Sequence, residues 1–231
     1  MLSRVKNSAE NKLARMTKKL SRKGLYEFLS KEFAKISRDS SVLTIGSGGE
    51  VNELLNTFAN KEGFTVLSFD IDRERSPDVV GDICTYDFSN KCFDVVIMSE
   101  VLEHVHSPYL AINNINSILN ENGKLILTTP FMFPLHDRPY DYYRFMRFGL
   151  EFLLRDFKNV QVCERNSYFD AIDVLWVRLW QTQVKSARIA SYFIIPFVFY
   201  LKRPFTYLLS MLIDTDAITT GYVVTAEKSS K

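Results

Sequence analysis

The 231-residue sequence is poor in the residues that mark several protein classes. Its three cysteines, Cys84, Cys92 and Cys163, are scattered without the spacing of a disulfide framework or a thiolate metal site. That argues against a disulfide-stapled fold and points to a reducing cytoplasm. The N-terminus lacks the apolar core of a secretion signal, so export is not expected. No apolar run comes near the ~20 residues that span a bilayer. Positive charge exceeds negative by only 2, which gives no global case for nucleic acid. Histidine is scarce too, and His104, His106 and His136 are all the imidazoles available for chemistry.

What is present reads as one globular α/β domain with room for a lid or tail. The chain is organised around Val42-Leu43-Thr44-Ile45-Gly46-Ser47-Gly48-Gly49-Glu50. Val42 to Ile45 read as a short buried strand, the glycines as a tight turn, and Val51 onward as a helix. Gly46 and Gly48 let backbone approach a ligand with no Cβ in the way. The helix behind offers unpaired N–H groups and a positive dipole end. A second strand, Phe64 to Phe69, ends in Asp70, about 20 residues after the glycines, where a carboxylate suits two ribose hydroxyls.

Further strands are expected near 79–80, 93–98, 124–129, 160–163 and 221–226. A helix is expected at 108–119, with turns at Ser76-Pro77-Asp78 and Asn120-Glu121-Asn122-Gly123. The alternation implies parallel strands with helical crossovers, and a ligand at their C-terminal ends. Those ends carry Gly46, Asp70, Asp82, Ser99 and Pro130.

On these residues the stretch 42–130 resembles the core of class I S-adenosylmethionine-dependent methyltransferases. The glycine turn matches their motif I, Asp70 their ribose binder, Gly81-Asp82-Ile83 their adenine loop, and Phe93 to Met98 the strand before the active site. The resemblance implies a Rossmann-like, doubly wound, mostly parallel seven-stranded sheet with an antiparallel last strand. It implies S-adenosyl-L-methionine held by Gly46, Ser47, Gly48, Asp70, Ile71, Asp82, Ile83 and Ser99. One departure is Thr44, where the family commonly carries an acidic residue inside the motif I strand.

After Pro130 the stretch Phe131 to Phe145 is a polar and aromatic loop placed where a substrate lid would lie, and the lid is assigned to 130–148. Its Pro-Phe, His-Asp, Pro and Asp-Tyr-Tyr-Arg-Phe elements resemble methyltransferases of surface-polysaccharide biosynthesis. That implies a sugar or glycan acceptor, lipid-linked acceptors included. Two alternatives stand beside it: a methyltransferase of a lipid or quinone precursor, and an inactive cofactor-binding partner subunit. His136 is the candidate base, with Asp137 beside it to orient it. Glu100, Glu103 and His104 share a face if their segment is helical, and with His136 they make an oxygen and nitrogen set suited to a divalent metal. Similar Glu-x-x-Glu-His segments occur in metal-dependent O-methyltransferases; others of this kind, with no known metal, use the segment as a helix cap beneath the cofactor.

Residues 1–38 read as a basic helical segment broken near Gly24, preceding a methyltransferase domain at 39–231. Before Gly24, Arg4, Lys6, Lys12, Arg15, Lys18, Lys19, Arg22 and Lys23 are offset only by Glu10. The segment is either a helix with a solvated basic face or a basic arm toward an anionic membrane or substrate. Residues 170–213 form an apolar insertion before the last strand. Its runs from Tyr192 to Leu201 and from Phe205 to Ile213 suit burial, a homodimer contact through 192–213, or a hairpin at a membrane surface. The last would place the protein at the inner face of the membrane.

Overall fold

The computed structural model describes residues 2–89, 91–182 and 184–229, with side chains from residue 11 onward. The side chains of Arg4, Lys6 and Glu10 lie outside the described residues. The chain forms two compact units, residues 1–24, 132–134 and 164–221 in one, and 25–131, 135–163 and 222–231 in the other.

The second unit is built on the sheet. Its strands are β1 (Ser41–Ile45), β2 (Thr65–Asp70), β3 (Val79–Val80), β4 (Phe93–Ser99), β5 (Leu119–Pro130), β6 (Phe157–Glu164) and β7 (Gly221–Lys228). They lie in the order β3-β2-β1-β4-β5-β7-β6. β1 pairs in parallel with β2 and β4, as do β2 with β3 and β4 with β5. The last strand runs antiparallel, so the expected fold class holds.

Strand alternation accounts for burial on both faces. Leu43, Val96, Met98, Leu125 and Leu127 join one apolar cluster, while Val42, Val95, Ile97 and Ile126 join the other. The first face is covered by Ala111, Ile112 and Ile115 of a helix at Pro108–Ile118 and by Leu150 of a helix at Arg147–Leu153. The opposite face is covered by Leu25, Leu29 and Phe33 of a helix at Leu25–Phe33, and by Leu55 of one at Gly49–Glu62.

The other end of the sheet is sewn by Asp94. Its Oδ2 accepts from the Ser41 N–H at 2.8 Å, and its Oδ1 from Asn120 Nδ2 at 2.7 Å. The turn expected at Asn120 to Gly123 is instead an irregularity inside β5. Phe93 pairs with Leu119 and Val95 with Lys124, so the extra residues bulge out, with Asn122 at φ 60°.

The first unit is helical. A helix at Leu2–Ser21 packs on helices at Tyr168–Arg178 and Lys185–Phe197. Leu13, Leu20, Val174, Val177, Ile195 and Val198 form its core. After Phe197 the chain makes a π-helical turn, Val198–Lys202, and continues as a helix over Arg203–Leu212. Arg178 stacks on Phe133 at 4.5 Å and hydrogen-bonds Gln181 at 2.5 Å. Gly24 sits at φ 81° with the Arg165 carbonyl 2.1 Å from where a Cβ would stand. Only glycine fits that break between the first two helices.

Candidate functional site

A cleft opens at the C-terminal ends of β1, β2 and β4. Ile45, Gly46, Asp70, Ile71, Gly81, Asp82, Ile83, Val101, His104 and His106 line it. Gly46 has φ 89°, and a Cβ there would come within 2.5 Å of Val101 Cγ2. Gly81 is equally constrained, because a Cβ would meet Tyr86 at 2.5 Å and Phe69 at 3.0 Å.

Asp70 is buried and clasps the glycine turn. Its Oδ2 accepts from the Ser47 N–H at 2.6 Å and the Ser47 hydroxyl at 3.2 Å, and its Oδ1 from the Asp72 N–H at 2.9 Å. A carboxylate has about four lone-pair positions, so Oδ1 keeps capacity for a ligand hydroxyl. Asp82 is held by the Cys84 N–H at 2.9 Å, with its other oxygen 3.9 Å from His106 Nδ1. Thr44 is occupied locally. Its hydroxyl donates to Asn52 Oδ1 at 3.0 Å, and Asn52 Nδ2 donates to the Gly46 carbonyl at 3.0 Å. Asn52 thus braces the turn, a role the sequence reading missed.

The expected cofactor residues do not all face this cleft. Gly46, Asp70, Ile71, Asp82 and Ile83 do. Ser47 and Gly48 line a separate hollow with Thr44, Asn52, Ser68 and Asp78. Ser99 turns to the Thr128 hydroxyl at 2.9 Å. His104 and His106 join the cleft because the chain doubles back after β4.

Beside the cleft stands a cluster of charge. Glu103 is 0% exposed, and its Oε1 is buried with no hydrogen-bond partner. That oxygen lies 3.6 Å from His104 Nε2 and 3.8 Å from His136 Nε2. Both imidazoles are fixed from behind. His104 Nδ1 is 2.8 Å from the Tyr140 carbonyl, and His136 Nδ1 is 3.2 Å from Asp141 Oδ2. The Tyr140 carbonyl places the proton of the neutral His104 ring on Nδ1, whereas His136 Nδ1 faces both Asp141 Oδ2 and, at 3.4 Å, Arg144 Nη2. Asp141 is gripped by Arg144 at 2.5 and 2.6 Å and by the His136 N–H at 2.9 Å. Burial alone would lift the Asp141 carboxyl, but these donors hold it at about 2. Burial pushes the Glu103 carboxyl up, only partly offset by His136. Burial would push His136 down, yet the facing Glu103, Asp141 and Asp137 carboxylates carry it above its ordinary value.

Two expectations are corrected here. The residue that orients His136 is Asp141, whereas Asp137 is 72% exposed and lies 3.8 Å from His104 Nε2. Asp137 takes φ 45° and acts on His136 only through its charge, the weakest of the carboxylates that raise it. Glu100, Glu103 and His104 do not share a helix face either. Glu100 takes φ 55° and accepts from the Thr128 hydroxyl at 3.0 Å, and only a three-residue 3-10 turn, Leu102–His104, follows. The ligand atoms of Glu103, His104 and His136 nevertheless lie within 4.8 Å of one another. Asp141 and Arg144 were readable only as part of a loop pattern; the signal was a histidine followed at five and eight residues by an acid and an arginine.

The loop is strapped over this turn. The Tyr142 and Tyr143 N–H groups donate to the Glu103 carbonyl at 3.0 and 3.1 Å, and Tyr143 Oη to the His106 carbonyl at 3.2 Å. Gly46→Ala should lower stability by about 1–3 kcal/mol, from strain at positive φ and the Val101 clash. Adding Val101→Ala should recover the clash portion alone. Thermal unfolding of the single and double variants checks this, and an unchanged midpoint in Gly46→Ala would contradict it.

A family model described as a methyltransferase domain matches residues 14–170. No curated protein matches the chain. Among solved structures, the chain is similar to phosphoethanolamine N-methyltransferase 2 of Haemonchus contortus, seen with phosphomonomethylethanolamine and S-adenosylhomocysteine. That match has 19% identity, a TM-score of 0.53, and covers 87% of this chain and 51% of that one, so the chain spans about half its length. A SAM-dependent methyltransferase from Archaeoglobus fulgidus is 16% identical over 86% of this chain and 89% of its own, with a TM-score of 0.52. The [4+2]-cyclase SpnF, 15% identical with a TM-score of 0.53, covers 88% of this chain and 80% of its own. These likenesses establish a shared fold. With the family model spanning residues 14–170, over a sheet whose strand ends form this cleft, the chain belongs to the methyltransferase-domain family.

Proposed function

We propose that the chain transfers a methyl group from S-adenosylmethionine to a hydroxyl of a sugar or glycan, lipid-linked acceptors included. Family membership supports the reaction class, and the relatives seen with S-adenosylmethionine or its product support the donor. The residues present fit it: glycines that clear a ligand path, a buried carboxylate with spare capacity, and apolar Ile71 and Ile83 to flank an adenine. The acceptor class rests on the resemblance of the 131–145 loop to methyltransferases of surface-polysaccharide biosynthesis.

The single observation that carries an oxygen acceptor is the aim of His136. Its Nδ1 lies 3.2 Å from Asp141 Oδ2 and its Nε2 3.8 Å from Glu103 Oε1, and Nε2 is the nitrogen we assign to accept the proton. S-adenosylmethionine, when bound, supplies an electrophilic methyl on a sulfonium. His136 Nε2 would take the proton of the acceptor hydroxyl, whose oxygen would then receive that methyl group. Asp141 then stabilises the imidazolium.

The unpartnered Glu103 Oε1 favours a second reading. Glu103 Oε1, His104 Nε2 and His136 Nε2 would hold a divalent ion, which would bind a vicinal diol and lower the pKa of one hydroxyl. The fixed Nδ1 atoms are what metal-ligating histidines require.

Asp70→Ala should weaken S-adenosylmethionine binding about tenfold or more, because the ribose loses its acceptor and the turn its clasp. Calorimetry showing equal affinity would remove the cofactor assignment. His136→Ala should cut turnover by about 10²-fold or more while leaving cofactor affinity within a few-fold. As a base His136 must be neutral. Its raised pKa therefore makes the rate fall as pH drops through a value above the ordinary histidine pKa of about 6.5, with no response to chelator. As a ligand it makes activity vanish with chelator and return with a divalent ion, and Glu103→Gln becomes nearly as damaging. Unchanged turnover in His136→Ala would overturn both readings.

A further inference from the structure

The helical run from Lys185 to Leu212 carries its amphipathicity inside out. Its buried residues include Ser191 and Thr206, two hydroxyls, alongside Ile195 and Val198. Ile189, Phe193, Phe197, Leu201, Phe205 and Leu208 recur at spacings of three and four, so they form one stripe along the helix, and every one is exposed. Phe193 and Leu212 are each 76% exposed. A helix serving only as core would place these side chains inward. Contiguous apolar surface of this length marks an interaction site.

The charge around the stripe selects its partner. Lys185 and Arg188 are exposed at the start of the run, whereas Lys202 pairs with Asp173 and Arg203 with Asp170 within the unit. The helix Leu2–Ser21, packed on the same unit, exposes Lys12, Arg15, Lys18 and Lys19. Tyr200 and Tyr207 are exposed on the run, each with a ring and a polar tip suited to a headgroup region. A second copy of the chain meeting this stripe through a two-fold axis would set cations against cations. Among the described residues, no helix is long and apolar enough to cross a membrane.

We infer that the unit docks on the surface of an anionic bilayer, with the Ile189–Leu212 stripe lying in the interface and the basic side chains of this unit at the headgroups. The bilayer supplies the apolar cover that the fold leaves off, and its anionic lipid meets the exposed Lys12, Arg15, Lys18, Lys19, Lys185 and Arg188. This inference is independent of the methyltransferase reading.

Flotation of the full chain with vesicles tests it. Wild type floats with phosphatidylcholine vesicles carrying phosphatidylglycerol, and about tenfold less with phosphatidylcholine alone. The double variant Phe193→Glu/Phe205→Glu loses flotation about tenfold while keeping its circular dichroism and its S-adenosylmethionine affinity. If that variant misfolds, Phe193→Ser/Phe205→Ser takes its place with the same expectation. Wild type that stays with the soluble fraction overturns the inference, as does a folded variant that floats equally. So does a vesicle-free dimer in light scattering that the variant converts to monomer without any flotation, since a second copy then covers the stripe.

Discussion

Glu103 ties the polar cluster together, through its backbone carbonyl and its buried carboxylate. Glu103 offers its carbonyl to the N–H groups of Tyr142 and Tyr143, so the 135–145 loop closes on it. Its carboxylate meanwhile faces two imidazoles whose far nitrogens are tied to Tyr140 and Asp141. A charge with no water costs several kcal/mol unless it is compensated. The loop histidine, the strand-end histidine and the Thr129 hydroxyl at 3.4 Å are the compensation available. One oxygen remains unpaired, so the arrangement is poised for a proton or a cation rather than closed upon itself.

The sheet explains why that carboxylate can be there. With both faces buried, the central strands are mostly apolar, and the cleft gathers at their C-terminal ends. Gly46 lets the first strand end without blocking the cleft, while Asp70 fixes the turn that follows. Glu100, in a left-handed conformation anchored to Thr128, ends β4 and throws Glu103 and His104 into position. Cofactor cleft and polar cluster are thus adjacent products of one edge, with His104 common to both.

Much of this was legible in the sequence. A four-residue apolar run followed at once by glycines has few other folds open to it, and Asp70 follows at the distance a parallel crossover demands. What escaped was set by contacts distant in sequence. Nothing local to Glu100 announces a positive φ, so a helical face was expected where a strand end turns. Asp137 is adjacent to His136 in sequence, but Asp141 reaches it because Arg144 and the His136 N–H pull that carboxylate inward. Ser47 and Gly48 belong to the glycine turn yet face another hollow, with the Ser47 N–H and hydroxyl drawn to Asp70. The exposed stripe on Lys185–Leu212 was visible as apolar runs, but which face lay outward depended on the packing of Ile195 and Val198.

The central claim is that the cleft at Gly46 and Asp70 delivers a methyl group to the Glu103–His136 cluster. A crystal structure of the chain with S-adenosylhomocysteine tests it most directly. The account predicts ribose hydroxyls on the Asp70 carboxylate, adenine between Ile71 and Ile83, and the sulfur turned toward His104 and His136. Adenosine seated instead in the hollow of Thr44, Asn52 and Asp78, or a sulfur pointing away from both histidines, would contradict it.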